Sequence, residues 1–82
     1  MLQFTTETDA INHGTAAGES DGETLYNENH ESYRDEAHAT SGLDECASEA
    51  ASVLGVPREH YRAWIDAYAT AAARVIRTMY SA

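Results

Sequence analysis

The sequence predicts a mainly α-helical single domain, built on an antiparallel pair of C-terminal helices that a short acidic helix precedes. Large apolar residues in the last third of the chain recur at steps of three and four, the spacing of one helix face. The segment before it has a similar pattern, and the connection between the two is short enough to make antiparallel neighbours. Because 82 residues suffice for only one small core, we treat 1–82 as one domain with an acidic half, 1–40, and a helical hairpin, 41–82.

The first forty residues predict little regular structure. Residues 2–14 fit either a short strand, because Leu, Phe and Thr favour strands, or a helix that begins after a threonine cap and runs through Ile11. Residues 14–24 are rich in Gly, Ser, Thr and acids, which predicts a loop. A weak apolar periodicity then predicts a short helix around 28–39.

The segment "SGLDECASEAASVLG" predicts the first helix of the hairpin. Ser41 suits the N-cap, and Asp44 three residues later makes a variant of the capping box. Gly55 is suited to the left-handed position that commonly follows a helix. The apolar face of this helix comprises Leu43, Cys46, Ala47, Ala50, Val53 and Leu54.

The last helix is predicted from Pro57 to the end of the chain. Proline is favoured in a first helical turn, where its missing N–H is not needed. The apolar stripe comprises Tyr61, Trp64, Ile65, Tyr68, Val75, Ile76 and Met79.

A second, alanine-rich face of this helix comprises Ala63, Ala67, Thr70, Ala71 and Ala73. Either it reflects helix propensity alone, or the acidic half or a second copy of the chain covers it. We therefore expect a monomer or a homodimer.

Charge is distributed unevenly along the chain. Residues 1–50 carry twelve carboxylates and one arginine, a net charge of −11, whereas residues 51–82 carry two carboxylates and four arginines, a net charge of +2. Such a field repels nucleic acid and anionic membranes and attracts basic surfaces. We expect a basic protein as partner, no direct nucleic acid and no membrane. Arg58 and Arg62 are expected to pair with the acidic half.

No motif indicates an enzyme, a metal site or a cofactor. The single cysteine, Cys46, excludes an intrachain disulfide, and its place on an apolar face is typical of a small core residue. The histidines match no zinc-ligand spacing, and neither a nucleophile elbow nor a phosphate-binding loop occurs. With no signal-peptide pattern at the start, the expected location is the cytoplasm.

The segment "TSGLDE" places Ser41 near the middle of a small acidic chain, in which it resembles the acyl carrier proteins. In that family the serine that carries the prosthetic group lies in an Asp-Ser-Leu motif. Here the serine follows Thr40 and precedes Gly42. A carrier protein is therefore kept as an alternative function.

The acidic run "GESDGETLYNENHESYRDE", residues 18–36, is the main candidate for function. Carboxylates held over such a span can occupy a groove that binds the phosphates of DNA, and tyrosines are enriched at interfaces. The predicted partner-binding residues are Glu19, Asp21, Glu23, Tyr26, Glu28, Glu31, Tyr33, Asp35 and Glu36.

In its size, acidity and helical second half, the chain resembles phage-encoded inhibitors, above all the small acidic anti-CRISPR proteins that act on type I surveillance complexes. This resemblance implies an inhibitory DNA mimic, not an enzyme, that blocks a nucleic-acid-binding surface in the host cytoplasm. The alternative is a regulatory or antitoxin-like adaptor that binds through the alanine face of its last helix.

Overall fold

The computed structural model describes residues 3–81, which form helices joined by short connections. The predicted mainly helical single domain is confirmed. Between residues 3 and 81 there is no strand, so the strand alternative for the first residues is wrong over that range, while Leu2 lies outside it. The elements are α1 (Glu7–Asn29), a 3-10 turn (His30–Ser32), α2 (Glu36–Thr40), α3 (Leu43–Leu54), a second 3-10 turn (Arg58–His60) and α4 (Tyr61–Ser81).

Helix α1 begins at the predicted threonine cap but continues far beyond Ile11. The Thr6 side chain accepts a hydrogen bond from the backbone N–H of Asp9 at 3.2 Å, which satisfies one free donor of the first turn. The helix then runs without interruption through residues 14–24, so the loop predicted there is wrong.

Three glycines explain why residues 14–24 are helical. Gly14, Gly18 and Gly22 are four residues apart and lie buried on one face of α1. A Cβ atom at Gly14 would lie 2.6 Å from the carbonyl oxygen of Trp64, and one at Gly22 would lie 2.9 Å from the Cα of Ala72. Glycine weakens an isolated helix, but here its missing side chain lets the backbone of α1 lie against that of α4.

The same contacts fix the direction of the helices. Gly14, Gly18 and Gly22 meet Trp64, Tyr68 and Ala72 in that order, so α1 and α4 run parallel. A parallel pair needs a long connection to return the chain to its starting end, and residues 30–60 provide it. Helix α4 makes its most extensive contacts with α1 and fewer with α3.

The short helix predicted around 28–39 is replaced by two smaller elements. Helix α1 ends at Asn29, and Tyr33 has an extended backbone. The Asp35 side chain then accepts the His38 backbone N–H at 2.8 Å and starts α2. Because this aspartate offers the backbone a cap, the chain restarts a helix there and does not continue one.

Helix α3 is found where predicted, and Gly55 follows it with the expected left-handed φ of 73°. The proposed N-cap is wrong: Ser41 follows α2, where its Oγ–H donates to the His38 carbonyl at 2.7 Å, and Gly42 occupies the cap position with a φ of 76°. Part of the apolar face is also wrong, since Val53 is 80% exposed and Leu54 43% exposed.

The core lies around α4, and the predicted apolar stripe of that helix supplies its largest members. Trp64 and Ile76 are fully buried, and Tyr68 is 2% exposed. From α3 the buried residues are Leu43, Ala47 and Ala51. Small residues on both neighbours allow the bulky side chains of α4 to fill the space between them.

Candidate acidic partner-binding surface

The nine predicted partner-binding residues occupy three consecutive pieces of the chain and have different surroundings. The carboxylates from Glu19 to Glu28 belong to α1, Glu31 to the 3-10 turn, and Asp35 and Glu36 to the start of α2. Since α1 turns by about 100° per residue, its acids point in several directions and do not form one stripe.

Asp21 faces inward and holds α1 against α4. The Tyr68 hydroxyl donates to Asp21 Oδ2 at 2.5 Å. Burial raises the pKa of the Tyr68 phenol well above its usual value, and the hydrogen bond and the negative charge of Asp21 raise it further. We assign Asp21 a structural role, which removes it from the partner-binding set.

A second hydrogen bond joins α1 to α4 near the first glycine contact. The indole N–H of Trp64 donates to His13 Nδ1 at 3.0 Å, and Trp64 is fully buried. Sequence reasoning missed this role of His13. The available signal was position, because His13 and Asp21 each immediately precede a glycine of the buried stripe.

Two carboxylates of the acidic run form exposed ion pairs with α4. Glu19 Oε2 lies 3.6 Å from Arg74, and Glu36 Oε1 lies 3.2 Å from Arg77. Pairs as exposed as these contribute at most about 1 kcal/mol each. Among residues 3–81 the acidic half therefore pairs with these arginines, and the expected ion pairs of Arg58 and Arg62 are not found.

Both predicted anchor tyrosines are partly buried. Tyr26 stacks on His30 with ring centroids 5.2 Å apart and meets the edge of Tyr80 at the same distance. Tyr33 packs edge-on against His38, and burial raises the pKa of its phenol. Both rings pack against the core, so they support this end of the domain as well as contributing to its surface.

Three glutamates remain as the most available part of the run. Glu23, Glu28 and Glu31 are exposed, and none forms a hydrogen bond or ion pair through its side chain within the described part of the chain. We call these three residues the free acidic patch, although Glu23 and Glu28 point about 140° apart around α1 and Glu31 follows the end of that helix. Asp35, by contrast, is engaged as the cap of α2.

The position of Glu28 and Glu31 is unfavourable for the stability of α1. The C-terminal end of a helix carries a partial negative charge, where cations stabilise and anions destabilise. Glu28 lies in the last turn of α1, which contains no basic residue, and Glu31 follows shortly after. The local electrostatics of this end are therefore suited to a cation supplied from outside the chain.

The remaining candidates among residues 3–81 are metal-ligating groups, membrane-spanning helices, Cys46 and Ser41. No group of three or more metal-ligating side chains occurs in this range, and none of its helices is long and apolar enough to cross a membrane. Cys46 is half-buried beside a cavity of about 130 Å³ that Asp21 and Tyr68 also line. Ser41 is exposed.

Comparison with known proteins identified no relative: no protein family, curated protein or solved structure matches this chain.

Proposed function

We propose that this protein is an inhibitory binding module that covers a basic nucleic-acid-binding surface of its target with the carboxylates at the end of α1. The observation that carries the proposal is the free acidic patch of Glu23, Glu28 and Glu31, which is exposed and of which Glu28 lies in the last turn of α1, at its negative end. Stability alone would favour cations at this end. A target that supplies Lys and Arg would neutralise the patch on binding.

The way α1 is held supports this role. Its glycine face lies directly on the backbone of α4, and hydrogen bonds from Trp64 and Tyr68 attach it at two points. Because the backbone that carries these carboxylates is already fixed, binding has to order only their side chains, which reduces the entropic cost of association.

The spacing of charge also suits a surface that binds DNA. The exposed carboxylates of α1, Glu19, Glu23 and Glu28, follow one another at steps of four and five residues, which at 1.5 Å per residue is roughly 6 Å to 8 Å of helix axis. One strand of DNA presents a phosphate about every 3.4 Å. A groove lined with Lys and Arg for a phosphate backbone would therefore meet on α1 roughly one carboxylate for every two phosphates of a strand.

The proposed target is a basic protein or complex that binds nucleic acid. The resemblance to small acidic anti-CRISPR proteins makes the type I surveillance complex the first candidate. The net charge of −9 makes nucleic acid itself an unfavourable ligand. Because ions screen attraction between exposed charges, the complex should weaken as salt is raised.

The test is affinity capture from nuclease-treated bacterial lysate at low and high salt, with captured proteins identified by mass spectrometry. We expect a nucleic-acid-binding protein that is retained at low salt and lost at high salt. Capture of no such protein, or retention that does not depend on salt, would contradict the proposal.

A pair of matched variants then assigns binding to the patch. The test variant replaces Glu23, Glu28 and Glu31 with Gln. The control variant makes Asp44→Asn, Glu45→Gln and Glu49→Gln, which removes the same charge from exposed positions of α3. We expect the first to lose binding and competition with nucleic acid and the second to retain both, with circular dichroism confirming that both remain helical. Equal losses would show that net charge, and not the patch, attracts the target.

A further inference from the structure

The outward face of α4 forms a ridge between two grooves. Arg62, Asp66, Thr70 and Arg74 follow one another at four-residue steps, and all four are exposed. A groove of about 550 Å³ lies on one side, between α1 and α4, and one of about 470 Å³ lies on the other, beside the connection from α2 to α3. Thr70 borders both grooves and is therefore the crest of the ridge.

The larger groove is shallow and partly apolar. Ala63, Ala67 and Ala71 of α4 line it, and across from them lies Ile11 of α1, which is 40% exposed. Ridges of one helix pack into the grooves of another when the side chains at the contact leave room. Thr70 and the alanines beside it are small, so a second helix can lie close to α4 at this surface.

The order of charges along the ridge is self-complementary. When two α4 helices cross antiparallel with a two-fold axis at Thr70, Asp66 of each copy faces Arg74 of the other, so two opposite-charge pairs form. If the axis is placed instead at Tyr68, Arg62 faces Arg74 of the other copy and like charges meet.

An axis level with Trp64 would pair Arg62 with Asp66, but it would overlap only the first turns of α4. An axis at Thr70, by contrast, lies near the middle of Tyr61–Ser81 and overlaps most of the helix. Charge and length together therefore favour the arrangement centred on Thr70.

We propose that two copies of this chain associate through the outward face of α4, with the two-fold axis at Thr70 and paired Asp66 and Arg74 side chains. The face carries both signs of charge, unlike the strongly acidic first half, so the mutual repulsion of the two copies is weakest there. This proposal concerns self-association alone and does not depend on the proposed inhibitory function.

The test measures the mass of the full chain in solution by sedimentation equilibrium at about 0.15 M salt, where charge interactions are screened beyond about 8 Å. We expect the wild type to be a dimer. Asp66→Arg and Arg74→Asp should each weaken dimerisation by about tenfold or more, because two attractive pairs become two repulsive ones. The double variant Asp66→Arg with Arg74→Asp should restore the dimer, because the pairs form again with their charges exchanged.

Two controls separate this arrangement from general effects of charge. Arg62→Asp should leave dimerisation unchanged, because in this arrangement Arg62 faces Thr78. Glu19→Gln should not weaken it and should strengthen it slightly, because it releases Arg74 from its exposed intrachain ion pair. A monomeric wild type at every concentration, a double variant that does not recover, or recovery with Arg62→Asp in place of Arg74→Asp would overturn the proposal.

Discussion

The inner and outer faces of α1 are built from neighbouring residues but are under opposite constraints. On the inner face, Gly18 leaves no room for a single methyl group and Asp21 is tied to a buried phenol. On the outer face, Glu23 makes no contact of this kind with the described residues. The same helix is thus tightly determined by packing on one side and free to carry binding charge on the other.

The largest predicted effect on stability is steric, and it tests the close packing of the inner face of α1. A Cβ at Gly18 would collide with the backbone carbonyl of Tyr68 and lie 2.9 Å from its Cα. We expect Gly18→Ala to destabilise the domain by about 3 kcal/mol, because a backbone cannot move aside as a side chain can. Urea unfolding, followed by the fluorescence of Trp64, the one tryptophan, measures this change.

The matched control is Ser20→Ala, an exposed position of the same helix. It should stabilise by roughly 0.5 kcal/mol, because alanine is the better helix former. If Gly18→Ala also stabilised the protein, the close approach of α1 to α4 would be wrong.

The second prediction compares the stability contributions of one carboxylate on the inner face of α1 and one on its outer face. Asp21→Ala should cost about 2 kcal/mol, because it leaves the buried Tyr68 hydroxyl without its charged acceptor. Glu23→Ala, two residues later and exposed, should change stability by less than about 0.5 kcal/mol. If urea unfolding showed similar decreases in the free energy of unfolding for both variants, the assignment of Asp21 to the inner face and Glu23 to the outer face would be wrong.

The pH dependence of stability also tests the hydrogen bond between Asp21 and Tyr68 on the inner face. The pKa of Tyr68 is raised in the folded state, so its contribution to stability is fully present below the unfolded phenol pKa of about 10 and is lost as the pH rises through the higher folded value. We expect the free energy of unfolding to fall above about pH 10. In Tyr68→Phe this fall should be shallower, as measured by urea unfolding across that range. An unchanged slope would show that other groups cause it.

The smallest effect concerns the free acidic patch. Glu28→Gln should stabilise the domain by about 0.3 kcal/mol to 1 kcal/mol, because it removes a negative charge from the C-terminal end of α1. The same change should weaken target binding. Thermal unfolding and affinity capture of one sample measure both effects, and a loss of stability would indicate that Glu28 has a structural role.

Local sequence signals were sufficient to predict the elements whose conformation does not depend on a packing partner distant in sequence. The apolar stripe of Trp64, Tyr68 and Ile76 identified α4 and its buried face, since helical spacing brings such residues together in any context. Gly55 likewise identified the end of α3, because left-handed backbone favours glycine there. The acid-rich character of the first half was equally plain.

Only the tertiary structure decided what the small and polar residues of the first half do. Gly14, Gly18 and Gly22 indicate a loop by propensity, yet they form a helix face because α4 lies against them. Asp21 immediately precedes Gly22, but this position distinguishes it from the exposed Glu23 only once α4 is known to cover the glycine face. The physical reason is that a glycine lies inside only where another backbone approaches it, and that a carboxylate, which prefers water, turns inward only where a donor such as the Tyr68 hydroxyl reaches it. Both partners come from α4, which is distant in sequence.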